Sequence, residues 1–235
     1  MPFDIHAIVP VKERAHAKER LAAVLDAKER IRLCRAMLED MLRQLTKSRL
    51  LASVSLVACD EESMALADRY RVGCLTEPSN RGHDAAVAFA SSLLAAQGAQ
   101  GFLQLPGDIP GIKASEIDGL IAAHAPAPAF TIVPSHDRRG SNAILCSPPD
   151  LLPLRFGDDS FRPHLARARA LGVEPTVVES AGIARDIDTP EDIAAFLSTP
   201  TTTCTYRFLV ERGFSPAGAF GSQADHRPRS AKVRK

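Results

Sequence analysis

Hydrophobic residues follow two spacings along the chain: short continuous runs and longer stretches with helical periodicity. The runs are rich in β-branched residues and predict strands, whereas the periodic stretches predict amphipathic helices. Strands are predicted over residues 5–11, 54–59, 72–75, 101–105, 130–133, 142–146 and 176–178. Helices are predicted over residues 27–48, 61–70, 85–97, 114–124 and 160–171, with a last one opened by Thr189. Because strands and helices alternate, we predict an α/β fold with a mostly parallel sheet covered by helices on both faces.

This order of elements also predicts where a ligand binds and where the folded domain ends. In such sheets, ligands lie beyond the carboxyl ends of the strands. The loops after Val11, after Leu105 and before Thr189 are therefore the places to search. Residues 216–235 are rich in Gly, Ser, Pro and Arg and show no apolar period, so we predict one domain over residues 1–215 and a disordered basic tail.

Composition narrows the classes of function. A formal net charge of +1 gives no overall basic field, so nucleic acid is not an expected partner. The five cysteines include no CxxC pair, which is typical of a protein from a reducing compartment. No apolar run approaches the roughly 20 residues that span a bilayer, and the first residues lack the basic segment of a signal peptide. We therefore expect a cytoplasmic protein with no membrane partner.

A carboxylate follows the fourth predicted strand, in the segment Leu105-Pro106-Gly107-Asp108-Ile109-Pro110. Asp108 lies on a sharp turn at the carboxyl end of a strand, where it can coordinate a metal ion that also binds phosphates. Gly-Asp turns are common, so the alternative is that Asp108 only satisfies its own backbone.

A pair of carboxylates precedes the last predicted helix. Asp186 and Asp188 are spaced i, i+2 on an extended segment and should therefore point the same way. A shared Mg²⁺ would offset their repulsion, because this hard cation prefers carboxylate, phosphate and water oxygens. The alternative is that Asp188 belongs only to the helix start and that Asp186 is solvated.

A basic loop follows the first predicted strand and contains Lys12, Arg14, Lys18 and Arg20. Arginine suits bidentate phosphate contacts and lysine suits point-charge contacts. The loop has no glycine-rich cradle, so it is not a Walker or dinucleotide fingerprint. A solvated charged loop is the alternative, but the position after a strand favours phosphate binding. We predict that Lys12, Lys18 and Arg20 bind a nucleoside triphosphate and that Lys12 and Lys18, with Asp108, take part in catalysis.

Six motifs occur in a defined order over roughly residues 5–197. They are Val9–Lys12, Ala17–Leu21, Leu105–Pro110, Gly140–Ala143, Phe156–His164 and Asp186–Asp192. In this combination the chain resembles the guanylyltransferases of coenzyme F-420 biosynthesis. The resemblance implies a nucleotide-diphospho-sugar transferase (GT-A-like) fold. It also implies an enzyme that joins GMP from GTP to 2-phospho-L-lactate, phosphoenolpyruvate or 3-phospho-D-glycerate and releases pyrophosphate.

The resemblance also implies roles for particular residues and partners. The expected metal is Mg²⁺, with ligands Asp108, Asp186 and Asp188. The expected acceptor contacts are Ser141, Gly157 and Ser160. Apart from the resemblance, the loop over residues 135–141 flanks the same acceptor site, so we also expect Arg138 or Arg139 to close over the acceptor. GTP and the phospho-acid are the expected small-molecule partners. A second copy of the chain and the downstream transferase that accepts the product are two further partner hypotheses.

The chain departs from the family pattern at two positions. Threonine is frequent where Ser141 stands, but serine keeps the hydroxyl, so we expect the contact to survive. Asparagine is more usual at Asp84, where a carboxylate could accept hydrogen bonds from N1–H and N2–H₂ of guanine or could cap the following helix. We predict that Asp84 binds the nucleotide, while the second possibility stays open.

The expected chemistry requires no general base, because the phosphate of the acceptor is already an anion at pH 7. Positioning and electrostatics can supply the catalysis. His164, near the acceptor motif, is accordingly expected to be structural or to donate to a phosphate.

Other classes of protein remain as alternatives. A nucleotidyltransferase acting on a sugar phosphate or a molybdenum cofactor usually has a glycine-rich loop after the first strand, which this sequence lacks. A glycosyltransferase would explain the acidic pair but not the acceptor motifs. A non-catalytic nucleotide sensor is the remaining alternative. The presence of all three carboxylates argues against it, because a sensor need not retain them.

Overall fold

A computed structural model describes residues 4–11, 18–58, 60–77 and 81–216. The strands in these ranges are Ile5–Pro10 (β1), Leu51–Ala58 (β2), Gly73–Thr76 (β3), Gly101–Gln104 (β4), Ala129–Pro134 (β5), Ser141–Ser147 (β6) and Thr176–Val177 (β7). The α-helices are Ala27–Leu45 (α1), Glu61–Tyr70 (α2), His83–Ala96 (α3), Ala114–Ala122 (α4), Phe161–Ala170 (α5), Pro190–Leu197 (α6) and Cys204–Glu211 (α7). A short 3-10 turn, Glu19–Leu21, precedes α1.

The strands form one sheet in the order β3-β2-β1-β4-β6-β5-β7. Strand β6 runs antiparallel to its neighbours β4 and β5, and the remaining pairs are parallel. The reversal follows from the short connection between β5 and β6, because a parallel pair needs a long crossover. The structure therefore confirms the predicted mostly parallel sheet.

Helices cover both faces of the sheet, as the alternating directions of the side chains along β1 show. Ile5, Ala7 and Val9 pack with residues of α1, α2 and α4 on one face. Ile8 points to the other face and packs with residues of α3 and α5. Successive side chains of a strand point to opposite faces, so a run that is apolar throughout belongs to a strand buried on both sides.

The helix α7 is an element that the sequence analysis does not predict. It packs through Leu209 into a third apolar cluster that also contains Leu33 of α1 and Ile193 of α6. Its amino end is held from two sides, because Thr203 accepts a hydrogen bond from the Tyr206 N–H and Asp40 of α1 accepts from Cys204 and Thr205. Tertiary contacts therefore stabilise this helix.

Two further expectations concern the whole chain. The predicted disordered tail over residues 216–235 lies outside the described residues, except for Pro216. Among the helices of the described ranges, none is long and apolar enough to cross a membrane.

Candidate active site

A cavity of about 860 Å³ lies beyond the carboxyl ends of β1 and β4. This volume falls in the range of about 300–1,000 Å³ that is typical of small-molecule sites. The residues predicted to contact the metal, the nucleotide and the acceptor line it wherever they are described, except for Arg138 and Arg139; they are Lys18, Arg20, Asp84, Asp108, Ser141, Gly157, Ser160, Asp186 and Asp188. Lys12 lies outside the described residues. The fold thus brings together residues from distant parts of the sequence.

The position of Ile187 explains why Asp186 and Asp188 face the cavity. Its side chain is buried in the third apolar cluster, and its backbone N–H donates to the carbonyl oxygen of Asp108 at 3.1 Å. The flanking residues of an extended segment point away from the buried one. The hydrogen bond therefore places the predicted acidic pair beside the turn that contains Asp108.

Asp186 is held by the neighbouring strand β6. Its Oδ1 accepts a hydrogen bond of 3.1 Å from Nδ2 of Asn142, which also donates to the carbonyl oxygen of Ile183 at 3.0 Å. Burial raises the pKa of Asp186 above its usual value, and the charges of Asp108 and Asp188 raise it further, while the Asn142 bond opposes the shift. Asp108 and Asp188 therefore act on Asp186 as like charges, which disfavours its ionised form.

Lys18 lies between two of these carboxylates. Its Nζ donates to Oδ2 of Asp108 at 2.5 Å and also pairs with Oδ1 of Asp188. Its backbone adopts the left-handed conformation with φ 54° and ψ 46°, which is uncommon for a residue with a Cβ. Burial alone would lower the pKa of Lys18, but the two carboxylates outweigh burial and raise it, so the ammonium stays charged.

The carboxylates have the donor chemistry of a site for a hard divalent cation. In the part of the chain that the structure describes, no group of three or more His, Cys, Asp or Glu side chains forms a ready-made metal centre. Mg²⁺ is usually held by one or two carboxylates together with phosphates and water rather than by an all-protein cage. Asp108, Asp186 and Asp188 therefore fit an ion that binds together with a phosphorylated ligand.

The predicted acceptor residues lie on another wall of the cavity. Ser160 immediately precedes α5, but its side chain makes no capping bond to the helix. Its hydroxyl instead donates to Oγ of Ser141 at 3.1 Å, and both serines are buried. A Cβ built on Gly157 would meet no atom within 4 Å, so this position faces open space. This wall of the cavity therefore presents the hydroxyls of Ser141 in β6 and Ser160 before α5, together with an unobstructed backbone at Gly157.

His164 connects the serine pair to the preceding loop. Its Nδ1 lies 3.0 Å from Oγ of Ser141, and its Nε2 accepts from the backbone N–H of Arg155 at 3.1 Å. Burial lowers the pKa of His164 to about 4, the charge of Arg167 lowers it too, and Asp84 opposes the shift. The imidazole is therefore neutral at pH 7, in agreement with the expected structural role.

Asp84 lies in the first turn of α3, whose N-cap is Gly82. The alternative that Asp84 caps this helix is therefore wrong. Its Oδ1 accepts a hydrogen bond of 3.0 Å from the backbone N–H of Phe156. The ring of Phe156 lies edge-on to those of His83 and His164, at centroid distances of 4.6 and 5.4 Å. Asp84 thus connects α3 to the loop before α5. Its predicted contact with guanine stays a prediction.

The arginines near the site take different positions. Arg138 pairs with Glu179 at 2.5 Å and lies over the ring of Phe161, and the expectation that Arg138 or Arg139 closes over the acceptor stays a prediction. Arg20 lies at the cavity rim, where its exposed guanidinium is 3.5 Å from Asp158. Of the two, Arg20 is placed to meet a phosphate.

The cavity wall also contains polar residues that are missing from the predicted site, among them Asn142, Gln104 and His83. Asn142 positions Asp186, and Gln104 and His83 share a hydrogen bond of 3.3 Å between their Nε2 atoms. Gln104 is fully buried. A polar amide in an otherwise apolar strand was the signal that could have identified Gln104.

Solved structures share this fold. The chain aligns with a putative nucleotide-diphospho-sugar transferase from Desulfovibrio desulfuricans with a TM-score of 0.70 and 19% identity, over 90% of this chain and 96% of the other. It aligns with a nucleotidyl transferase from Methanothermobacter thermautotrophicus with a TM-score of 0.58 and 16% identity, over 88% and 99%. These structures show that the chain has the nucleotide-diphospho-sugar transferase fold, with the carboxylate-lined cavity at its sheet edge.

The sequence comparison is more specific. The chain belongs to the guanylyl transferase CofC-like family, whose model matches residues 5–228. A phosphoenolpyruvate guanylyltransferase from Sphaerobacter thermophilus is 35% identical, over 80% of this chain and 89% of the relative. A 2-phospho-L-lactate guanylyltransferase from Methanothermobacter thermautotrophicus is 30% identical, over 92% and 94%. The resemblance drawn from the six motifs is therefore confirmed.

Proposed function

We propose that this protein transfers GMP from GTP to a three-carbon phospho-acid, with release of pyrophosphate, as a step of coenzyme F-420 biosynthesis. One observation supports this proposal above the others. A single cavity is bordered by the cluster of Lys18 and three carboxylates and also by the hydrogen-bonded pair of Ser141 and Ser160. Two phosphorylated substrates can therefore meet in one cavity. The relatives named for guanylyl transfer to phosphoenolpyruvate and to 2-phospho-L-lactate supply the substrate class.

The carboxylate side of the cavity suits the triphosphate. Mg²⁺, held by Asp108, Asp186 and Asp188, would neutralise phosphate charge and stabilise the transition state. Lys18 brings a buried ammonium to the same place, and Arg20 offers a guanidinium at the rim. A preorganised positive charge in a site with little water is worth far more than the same charge in bulk solvent.

The serine side of the cavity suits the acceptor. Hydroxyls of Ser141 and Ser160 and the open backbone at Gly157 can donate to or approach an anionic group. An oxygen of the acceptor's phosphate attacks the α-phosphorus of GTP, forming a new P–O bond. The bond from the α-phosphorus to the bridging oxygen breaks, and pyrophosphate leaves. No side chain needs to remove a proton, which agrees with a neutral His164 that already uses both ring nitrogens.

Turnover with defined substrates tests the proposal. The purified protein, Mg²⁺ and GTP are mixed separately with phosphoenolpyruvate, 2-phospho-L-lactate and 3-phospho-D-glycerate, and pyrophosphate release is measured. Mass spectrometry should detect the corresponding GMP-linked acid in at least one mixture. ATP and CTP in place of GTP test the base preference, and a hexose 1-phosphate tests the sugar-phosphate alternative. Pyrophosphate release with the sugar phosphate alone would overturn the proposal.

A further inference from the structure

The hydrogen bonds around His164 determine which atoms can donate into the cavity. The backbone N–H of Arg155 can only donate, so Nε2 of His164 must accept and carries no proton. In the neutral imidazole the proton is then on Nδ1, which must donate to Oγ of Ser141. The main chain of the preceding loop thus selects the tautomer of a fully buried ring.

The tautomer in turn determines the direction of the serine hydroxyls. Oγ of Ser141 accepts from His164 and also from the hydroxyl of Ser160, which fills both of its lone-pair directions. Its own proton is used by neither bond. Because Ser141 lines the cavity, that proton can be donated to a ligand there. With the opposite tautomer, the Ser141 hydroxyl would donate to the ring instead.

We propose that His164 is a positioning residue, which orients the Ser141 hydroxyl as a hydrogen-bond donor to the anionic group of the phospho-acid. This inference rests on the proposed function, because it takes Ser141 as an acceptor contact. An anion is bound only by donors, so a hydroxyl that turns its lone pair toward the cavity would repel it. A chain of aligned hydrogen bonds also strengthens the terminal donor.

The surroundings keep the ring in this neutral state. The rings of Phe130 and Phe156 pack around it, with centroid distances of 6.4 and 5.4 Å. The positive charge of Arg167 also disfavours a protonated ring, and the carboxylate of Asp84 opposes this effect. A protonated ring would lose its bond from Arg155, because Nε2 could no longer accept.

Two substitutions separate the two ring nitrogens. The amide of asparagine reaches about as far as Nδ1 of histidine, so His164→Asn can keep the donor to Ser141 and lose the tie to Arg155. The longer glutamine reaches the position of Nε2. His164→Gln can therefore keep the acceptor for the Arg155 N–H and lose the donor to Oγ of Ser141. His124→Gln is the matched control, because His124 is another buried histidine with two hydroxyl partners, Thr131 and Ser147.

Steady-state kinetics with GTP and the best phospho-acid should distinguish the variants. We expect His164→Gln to raise the KM for the phospho-acid about ten-fold, the typical effect of losing one hydrogen bond to a charged group. The KM for GTP should stay within about two-fold. His164→Asn should stay near the wild-type KM for the phospho-acid, and so should His124→Gln. A higher KM for the phospho-acid in His164→Asn but not in His164→Gln would overturn the proposal, since it would assign the effect to the hydrogen bond from the Arg155 N–H.

A double-mutant cycle with Ser141→Ala completes the test. If His164 acts through Ser141, then His164→Gln should raise the KM for the phospho-acid no further in the Ser141→Ala background. Independent effects that multiply to about 100-fold would overturn the proposal. A wild-type protein that releases no pyrophosphate with any phospho-acid would instead overturn the proposed function. An active wild type with equal KM values in His164→Gln would overturn only the role of His164.

Discussion

Lys18 shows how single residues prepare this site for charged ligands. Its left-handed backbone costs about 1–3 kcal/mol, a cost that persists only where other contacts outweigh it. The two ion pairs to Asp108 and Asp188 are such contacts, because the lysine side chain that they share is only 8% exposed to water. The residue therefore holds the carboxylates at a spacing that their mutual repulsion would otherwise widen.

The first prediction concerns these carboxylates. Asp108→Asn and Asp188→Asn each remove a charged ligand of the proposed Mg²⁺ and a partner of Lys18. Metal stabilisation contributes several kcal/mol, and each 1.36 kcal/mol is tenfold in rate, so turnover should fall at least about 100-fold. Circular dichroism should show an intact fold. Asp150→Asn, at an exposed carboxylate, is the control and should keep wild-type turnover. A folded Asp108→Asn enzyme with near-native turnover would refute the metal assignment.

At the scale of elements, the loop before α5 is held from several directions. Asp84 of α3 accepts from Phe156, His164 of α5 accepts from Arg155, and the Phe161 N–H donates to the carbonyl oxygen of Arg139. These bonds place Gly157 and Ser160 on the cavity wall without using the space in front of Gly157. The loop is therefore rigid where it is anchored and open where a ligand would approach.

The second prediction uses this open space. The Cβ added by Gly157→Val meets no atom within 4 Å, but Gly157 has a φ of 158°, which residues with a Cβ rarely adopt, so the variant should also lose some stability. The valine should obstruct the acceptor, raising the KM for the phospho-acid at least about ten-fold while the KM for GTP changes little. Thermal unfolding serves as the control and should show a protein that is folded at the assay temperature, with a midpoint below that of wild type. If the KM for GTP rises and the KM for the acceptor does not, the loop binds the nucleotide.

Helix α7 depends on a contact from a different helix. Both oxygens of Asp40 in α1 accept backbone N–H bonds of 2.8 Å, from Cys204 and from Thr205, and Asp40 is only 3% exposed. A carboxylate at the amino end of a helix satisfies free N–H groups and interacts favourably with the helix dipole. Asp40 therefore joins α7 to the body of the domain.

The third prediction is that Asp40→Ala lowers the free energy of unfolding by about 3 kcal/mol, because hydrogen bonds to a charged group are worth about 1.5–3 kcal/mol each and the amides can partly rehydrate. Asp40→Asn keeps one acceptor and should lose about half as much. Urea denaturation measures both. Thr203→Ala, which removes the local cap, should cost about 1 kcal/mol. Equal stability of Asp40→Ala and wild type would show that α7 does not need this contact.

At the scale of the whole molecule, stability should depend on two buried histidines. Burial lowers the pKa of His124 to about 4, and burial together with Arg167 lowers that of His164 to about 4. In the unfolded chain each should titrate near its ordinary pKa of about 6.5. Between these values the unfolded state binds more protons than the folded state. The stabilisation that the neutral forms of these two histidines give the folded state is therefore complete above about pH 6.5 and is lost as the pH falls toward 4.

The fourth prediction follows from this difference. The free energy of unfolding should fall by up to about 3 kcal/mol for each histidine between pH 7 and pH 4, at 1.36 kcal/mol for each unit of pKa. Urea denaturation at several pH values measures it. His124→Phe removes one titrating group and should reduce the loss by about half between pH 7 and pH 5, where few carboxylates titrate. An unchanged pH dependence in His124→Phe would show that this ring is not neutral by burial.

The local sequence determined much of this protein. Apolar periodicity predicts the strands β1 to β7 and the helices α1 to α6, because hydrogen bonding and burial within one element depend on residues only a few positions apart. The carboxyl ends of the strands then predict where Asp108, Asp186 and Asp188 meet, since the geometry of an α/β sheet is general. The i, i+2 spacing of the last two was enough to predict their common direction, which Ile187 confirms.

Only the tertiary structure decided which side chains act on one another. Asp40 caps α7 from 164 positions away, and Asp84 binds Phe156 from 72 positions away. Lys18 lies between carboxylates 90 and 170 positions later in the chain. No local pattern encodes such pairs, because their distance depends on how the whole sheet and its helices pack. The sequence therefore determined which chemical groups reach the cavity, while packing determined their partners, charges and hydrogen-bond directions.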